Sequence, residues 1–233
     1  EANQGIAVDD KYFYAIDNTT IGKYEKDTGK FVEKWEKSKE YPAIHFDGGV
    51  VLDGKLYLPH SNYSASPMTS SVEIFDAETL KPIGTHSFGI KLGSLTWVDR
   101  HDGAWWAVFA NYNRVFGTNK EVYGHTWWTV FVKMNDNWEV QQSWIFPDAI
   151  LKRSDPMSVS GGSWGPDGRL YVTGHDHPEA YVVRIPKMGS ILELEETIPL
   201  NIEGQGIAWD RSKPGTIYGI SRKNKEVVVS TLK

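Results

Sequence analysis

The sequence predicts an all-β chain folded as a small five-bladed β-propeller, one domain over residues 1–233. Three observations carry this reading. A strand-rich unit recurs along the chain, a Gly stands nine residues before a Tyr in three of its copies, and no segment sustains a helical period. The equally spaced copies are QGIAVDDKYFYAID from Gln4, DGGVVLDGKLYLPH from Asp47 and GGSWGPDGRLYVTG from Gly161. They pair Gly5 with Tyr14, Gly48 with Tyr57 and Gly162 with Tyr171. Two further copies have longer turns: QGIAWDRSKPGTIYGIS from Gln205 and LGSLTWVDRHDGAWWAVFAN from Leu92.

Each copy continues into a second hairpin, such as IGKYEKDTGKFVEKW or AYVVRIPKMGSILELEETI. Their β-branched and aromatic runs, broken by Asp, Asn, Thr and Gly, read as strands and turns. Four short strands per unit of about 45 residues describe a propeller blade. The blades fall near residues 1–40, 41–88, 89–146, 147–200 and 201–233. The fifth copy ends after its third strand and the chain starts on the first strand of copy one, so blade five is expected to have three strands.

Composition narrows the function classes. The chain is 40% hydrophobic and 24% charged, a globular balance. A net charge of −5 argues against nucleic acid as a partner, and no apolar run reaches the roughly 18 residues of a membrane span. The chain has no cysteine, which removes disulfides and thiolate sites. With a first residue, Glu1, that is not Met, this predicts a secreted or periplasmic protein. The expected state is a monomer whose partner is a small-molecule or glycan ligand.

The Asp-x-Thr/Glu-Gly/Thr turns between outer strands resemble those of propellers with YVTN-type repeats. The five blades and the QGIAVD and GIAWD strands are similar to those of plant-type glutaminyl cyclases. The resemblance spans the chain but rests on repeat residues, which imply a fold and not an activity. The cyclase-type Gly-Glu-Gly near the start of blade two is replaced by Asp47-Gly48-Gly49, so no catalytic residue is carried over.

Blade topology sorts the polar residues into two faces. Starts of innermost strands and ends of second strands share one mouth. Gln4, His45, Asp47, Glu203 and Gln205 fall at the former; His60, Asn111, His175, His177 and Arg222 fall at the latter. His125 ends a loop on this mouth, whereas His86 and His101 lie elsewhere and read as structural. Three long segments also reach this face and supply a rim of Tyr63, Tyr112, Arg114, Phe116, Tyr123, Lys152 and Arg153. Single Asn, Ser and Arg residues are as well explained as turn residues and solvated charges.

Two chemistries fit. His45, His60, His175 and Glu203 could hold one divalent metal ion, Zn, Mn, Fe or Ca. A His175-Asp176-His177 strand would turn both imidazoles to one side. Alternatively, His60 and His175 act as acid–base groups with Tyr112 or Tyr63, Arg114 clamps an anion, and Gln4, Asp47, Asn111, His177, Arg153 and Gln205 bind substrate. No organic cofactor is expected, because glycine loops for phosphate are absent. The reading is an enzyme (lyase, hydrolase or isomerase) for a small anionic or sugar-derived substrate. The alternative is a non-catalytic carbohydrate- or protein-binding module. Trp97, Trp164 and Trp209 occupy matching inner positions and read as packing, as do Trp105 with Trp106 and Trp127 with Trp128, one of each pair being a candidate for exposure.

Overall fold

A computed structural model describes residues 1–116, 121–122 and 124–232. Alternating apolar strands broken by Gly, Asp and Asn give antiparallel sheets arranged as five blades. Blade one runs β1 (Gly5–Val8), β2 (Tyr12–Asp17), β3 (Thr20–Glu25) and β4 (Phe31–Glu36) from the axis outward. The innermost strand of blade two is in two pieces, β5 (His45–Phe46) and β6 (Val50–Leu52). Both pair with β7 (Lys55–Ser61), followed by β8 (Ser70–Asp76) and β9 (Pro82–Gly89).

Blade three comprises β10 (Ser94–His101), β11 (Ala104–Ala110), β14 (Val130–Met134) and β15 (Val140–Ile145). Between β11 and β14 lie a short hairpin, β12 (Val115–Phe116) with β13 (Glu121–Val122), and a 3-10 turn at Thr126–Trp128. Helix α1 (Asp148–Ser154) leads into blade four: β16 (Gly161–Trp164), β17 (Leu170–Thr173), β18 (Glu179–Arg184) and β19 (Glu193–Pro199). Blade five has three strands, β20 (Ala208–Trp209), β21 (Thr216–Ser221) and β22 (Glu226–Thr231). No helix is long and apolar enough to cross a membrane, among the described residues.

Separate apolar clusters fill the spaces between neighbouring blades. Tyr14, Ile16 and Phe46 join blades one and two; Val72 and Phe109 join two and three; Phe131 and Val172 join three and four; Val182 and Trp209 join four and five. Ile6, Ala15 and Ile220 join five back to one and close the ring. Burying this apolar area is the main stabilising term.

The repeated residues have distinct jobs. The Tyr14 hydroxyl donates to Asp9 Oδ2 at 2.7 Å, and Tyr171 donates to Asp167 Oδ2 at 2.8 Å, so the Tyr fixes the Asp of the turn before it. The Gly lets inner strands meet at the axis. A Cβ on Gly5 would lie 2.6 Å from the Gly48 Cα, and one on Gly206 would lie 2.8 Å from the Gly5 Cα. Blades one, two and five therefore touch backbone to backbone, a closeness only glycine permits.

One local expectation changes, and the packing expected of the other Trp pair holds. Trp127 and Trp128 sit on the 3-10 turn, not on a strand, and both are exposed. Trp105 and Trp106 are both buried, because each face of β11 packs against a neighbouring blade. Helix α1 is one seven-residue segment in the long link to blade four, too short to give a sustained period.

Candidate active site

The inner-strand mouth is organised around Asp47. β5 and β7 pair with Phe46 opposite His60 and His45 opposite Ser61. Side chains alternate along a strand and directly paired residues share a face. His45, Asp47 and Ser61 therefore face one side, and Phe46 and His60 the other. His45 Nε2 lies 3.6 Å from Asp47 Oδ1. The His45 ring packs on Tyr63 at 4.9 Å, and Tyr63 meets Tyr112 edge-on at 5.4 Å. Ser94 donates to Ser61 Oγ at 2.9 Å below them.

Asp47 is buried, and its Oδ2 has no hydrogen-bond partner among the described residues. Burial, the largest influence, pushes its carboxyl above the usual carboxylate range; the imidazoles of His45, His175 and His60 pull the other way. The same carboxylate, after burial, helps raise the hydroxyl pKa of Tyr112 and of Tyr63, so both stay protonated. Arg114 reaches over this group and donates to the Tyr63 hydroxyl at 3.1 Å.

His60 and His175 border the centre but are engaged elsewhere. His60 Nε2 accepts the Ile44 backbone N–H at 3.0 Å, so its proton is on Nδ1, 3.1 Å from Ser71 Oγ. Burial lowers its pKa and keeps it neutral. His175 Nε2 faces the Arg222 guanidinium at 3.3 Å, which can only donate, and its Nδ1 pairs with Asp176 at 2.7 Å. Burial and Arg222 lower its pKa.

The expected metal quartet is not assembled in this geometry. The ring nitrogens of His60 and His175 have the protein partners just described. Glu203 accepts the Lys223 amide at 3.1 Å and faces Ser221, capping the turn after β21. No group of three or more His, Asp or Glu is set to hold a metal ion, among the described residues. His175, Asp176 and His177 lie in a bend beyond the end of β17, so strand alternation does not align their rings.

The other predicted site residues are placed as follows. Asn111 is buried and donates to the Leu92 and Trp128 carbonyls, holding the blade-three loop. Gln205 is buried, with positive φ, and donates to the His175 carbonyl at 3.3 Å. Gln4 donates to Asn18 Oδ1 at 2.9 Å. Arg153 pairs with Glu179 at 2.9 Å and Lys152 with Asp148 at 2.9 Å, both on the rim. His177 is half-buried near Glu179. Tyr123 and the Phe116 side chain lie outside the described residues. His86 stacks on Trp138 at 5.8 Å and His101 on Trp164 at 4.1 Å, away from this mouth.

The arrangement suits proton transfer. A buried carboxyl lies 3.6 Å from the Nε2 of a partly buried imidazole. The sequence contained the signal for this pair in the i, i+2 spacing of His45 and Asp47 at a strand start.

The fold is shared with a glutaminyl cyclase. The structure of the Myxococcus xanthus enzyme matches all of this chain and 92% of its own, with a TM-score of 0.61 at 10% identity. A luciferin-regenerating enzyme matches 95% of this chain and 84% of its own, with a TM-score of 0.53 at 12% identity. The PQQ-bound aldose sugar dehydrogenase of Streptomyces coelicolor matches 100% and 78%, with a TM-score of 0.52 at 14% identity. At these identities the likeness is one of fold. No family model matches the chain, and no curated protein matches it in sequence.

Proposed function

We propose that this chain is an enzyme that moves a proton on a small anionic or sugar-derived substrate at the inner-strand mouth. His45 is the acid–base group. Asp47 holds its imidazole and stabilises the charged form that proton transfer creates. Tyr63 and Tyr112 form one wall, and Arg114 supplies positive charge for a substrate anion. The observation that carries this reading is the buried Asp47 carboxyl, whose Oδ2 has no partner among the described residues, 3.6 Å from the partly buried His45 imidazole.

The fold neighbours supply first substrates to assay. Closing an N-terminal glutaminyl peptide needs one proton taken from the amine and one given to departing ammonia, which a His–Asp pair can do. Aldoses complete the panel. His45→Gln and Asp47→Asn should each remove turnover of whichever substrate is accepted while leaving the circular dichroism spectrum unchanged. Full turnover in both variants would overturn the proposal.

A second reading rests on Trp128, 61% exposed, beside the exposed Trp127. Aromatic faces of this kind can stack on sugar rings, and the chain would then be a glycan-binding module. Glycan binding lost in Trp128→Ala, with no turnover of any panel member, would favour it.

A further inference from the structure

A cavity of about 220 Å³ lies on the other side of β5, between the outer parts of blades one and two. Phe46 faces it, while His45 and Asp47 on either side face the mouth. Four aromatic rings line it: Trp35, Tyr41, Phe46 and Phe75. Trp35 meets Phe75 edge-on at 5.0 Å and Phe46 at 5.8 Å, and Phe46 lies 6.1 Å from Phe75. Tyr41 is exposed at the rim.

The charge in this cavity has one sign. Glu40 and Glu73 line it, and no Lys or Arg does, among the described residues. Glu73 Oε1 accepts hydroxyls from Ser71 at 2.6 Å and Thr85 at 3.0 Å, which hold the carboxylate in place without neutralising it. His60 also lines the cavity, with its Nδ1 3.9 Å from Glu73 Oε1, but its Nε2 is occupied as an acceptor by the Ile44 N–H, so the ring is neutral and brings no positive charge. Aromatic rings attract organic cations through their negative faces, and fixed carboxylates add to that attraction. A bare divalent ion would want more oxygen ligands than two carboxylates among apolar rings provide. The volume is below the roughly 300 Å³ at which drug-sized pockets begin, which limits the ligand to a few heavy atoms.

We propose that this aromatic, acidic cavity binds a small alkylammonium ion, and that it is a binding site separate from the Asp47 centre. Choline and tetramethylammonium are the probes, and 3,3-dimethylbutan-1-ol, the uncharged isostere of choline, is the control. Isothermal titration calorimetry and Trp fluorescence at fixed ionic strength would read binding. The expected result is saturable binding of both cations, with the alcohol about tenfold weaker or more. Glu73→Gln and Trp35→Leu should each weaken choline binding by a similar factor. The conservative Glu73→Gln, which keeps both acceptor contacts, guards against loss of fold. Equal binding of choline and the alcohol, no saturable choline binding, or unchanged affinity in folded Glu73→Gln would each overturn the proposal. His45→Gln should leave choline affinity unchanged, so this outcome is independent of the activity proposed for the mouth.

Discussion

The Asp47 carboxylate stands 3.6 Å from His45 Nε2 through Oδ1, while its Oδ2 is buried with no hydrogen-bond partner among the described residues. An arrangement that disfavours the charged form in the fold makes Asp47 costly to stability and useful to chemistry. Its carboxyl pKa is raised above the ordinary 3.8, mainly by burial. The folded chain thus keeps a proton that the unfolded chain has lost, and stability falls as pH rises from about 3.8 through the folded value. Asp47→Asn should raise the melting temperature at pH 7 by about 2–4 °C, the shift that 1 kcal/mol makes in a domain of this size. The gain should shrink below pH 4. A lower melting temperature at pH 7 would show that the charge is stabilised by a contact the geometry does not contain.

The buried imidazoles give the opposite pH slope. His60 and His175 both have pKa values lowered from 6.5, first by burial. Their neutral forms carry the contacts to Ile44 and Arg222. The stability they contribute is complete above pH 6.5 and is lost as pH falls through the lowered values. Urea denaturation should show His60→Gln to lose less stability than the parent chain between pH 7 and pH 5. Parallel curves for the two proteins would remove His60 from this account.

Much of the fold was legible because it rests on local, repeated chemistry. In the first copy the Gly-to-Tyr spacing has a visible cause: Gly5 meets Gly48 at the axis while Tyr14 reaches Asp9. The sequence also placed His45, Asp47, His60 and His175 toward one mouth. It did not separate His45 from His60, since that needs the register pairing Phe46 with His60 across a strand broken after Phe46. Nor did it reveal that a backbone N–H and a guanidinium occupy ring nitrogens of His60 and His175, because Ile44 and Arg222 become their partners only once the blades are assembled. The cavity beside Trp35 was invisible for a similar reason: its rings come from two blades.

Those occupied nitrogens bear on the expected divalent ion. A metal held by His60 and His175 would have to displace the Ile44 and Arg222 contacts, at a cost of about 1 kcal/mol each. Incubation with EDTA followed by calorimetry should leave the melting temperature within about 1 °C of the untreated protein, since ring nitrogens of His60 and His175 already have protein partners. A drop of several degrees, restored by one metal, would show that the folded protein binds a metal ion.

The glycines at the axis give a comparison that needs no ligand. A Cβ on Gly206 would meet the Gly5 and Gly48 Cα atoms at 2.8 and 2.9 Å, and both are backbone that cannot swing aside. A Cβ on Gly48 would have its nearest neighbour at 3.4 Å, an ordinary contact. Overpacking costs about 1–3 kcal/mol, whereas replacing Gly by Ala without strain gains about 0.4–1 kcal/mol through the unfolded chain. Gly206→Ala should therefore lower the urea midpoint clearly, and Gly48→Ala should leave it unchanged or raise it slightly. The difference arises because three inner strands converge on Gly206 from blades one, two and five, so relief of the clash would have to open the ring. Equal losses in the two variants would mean that the ring can open there without cost, and that the repeated glycine serves the strand itself and not the closure.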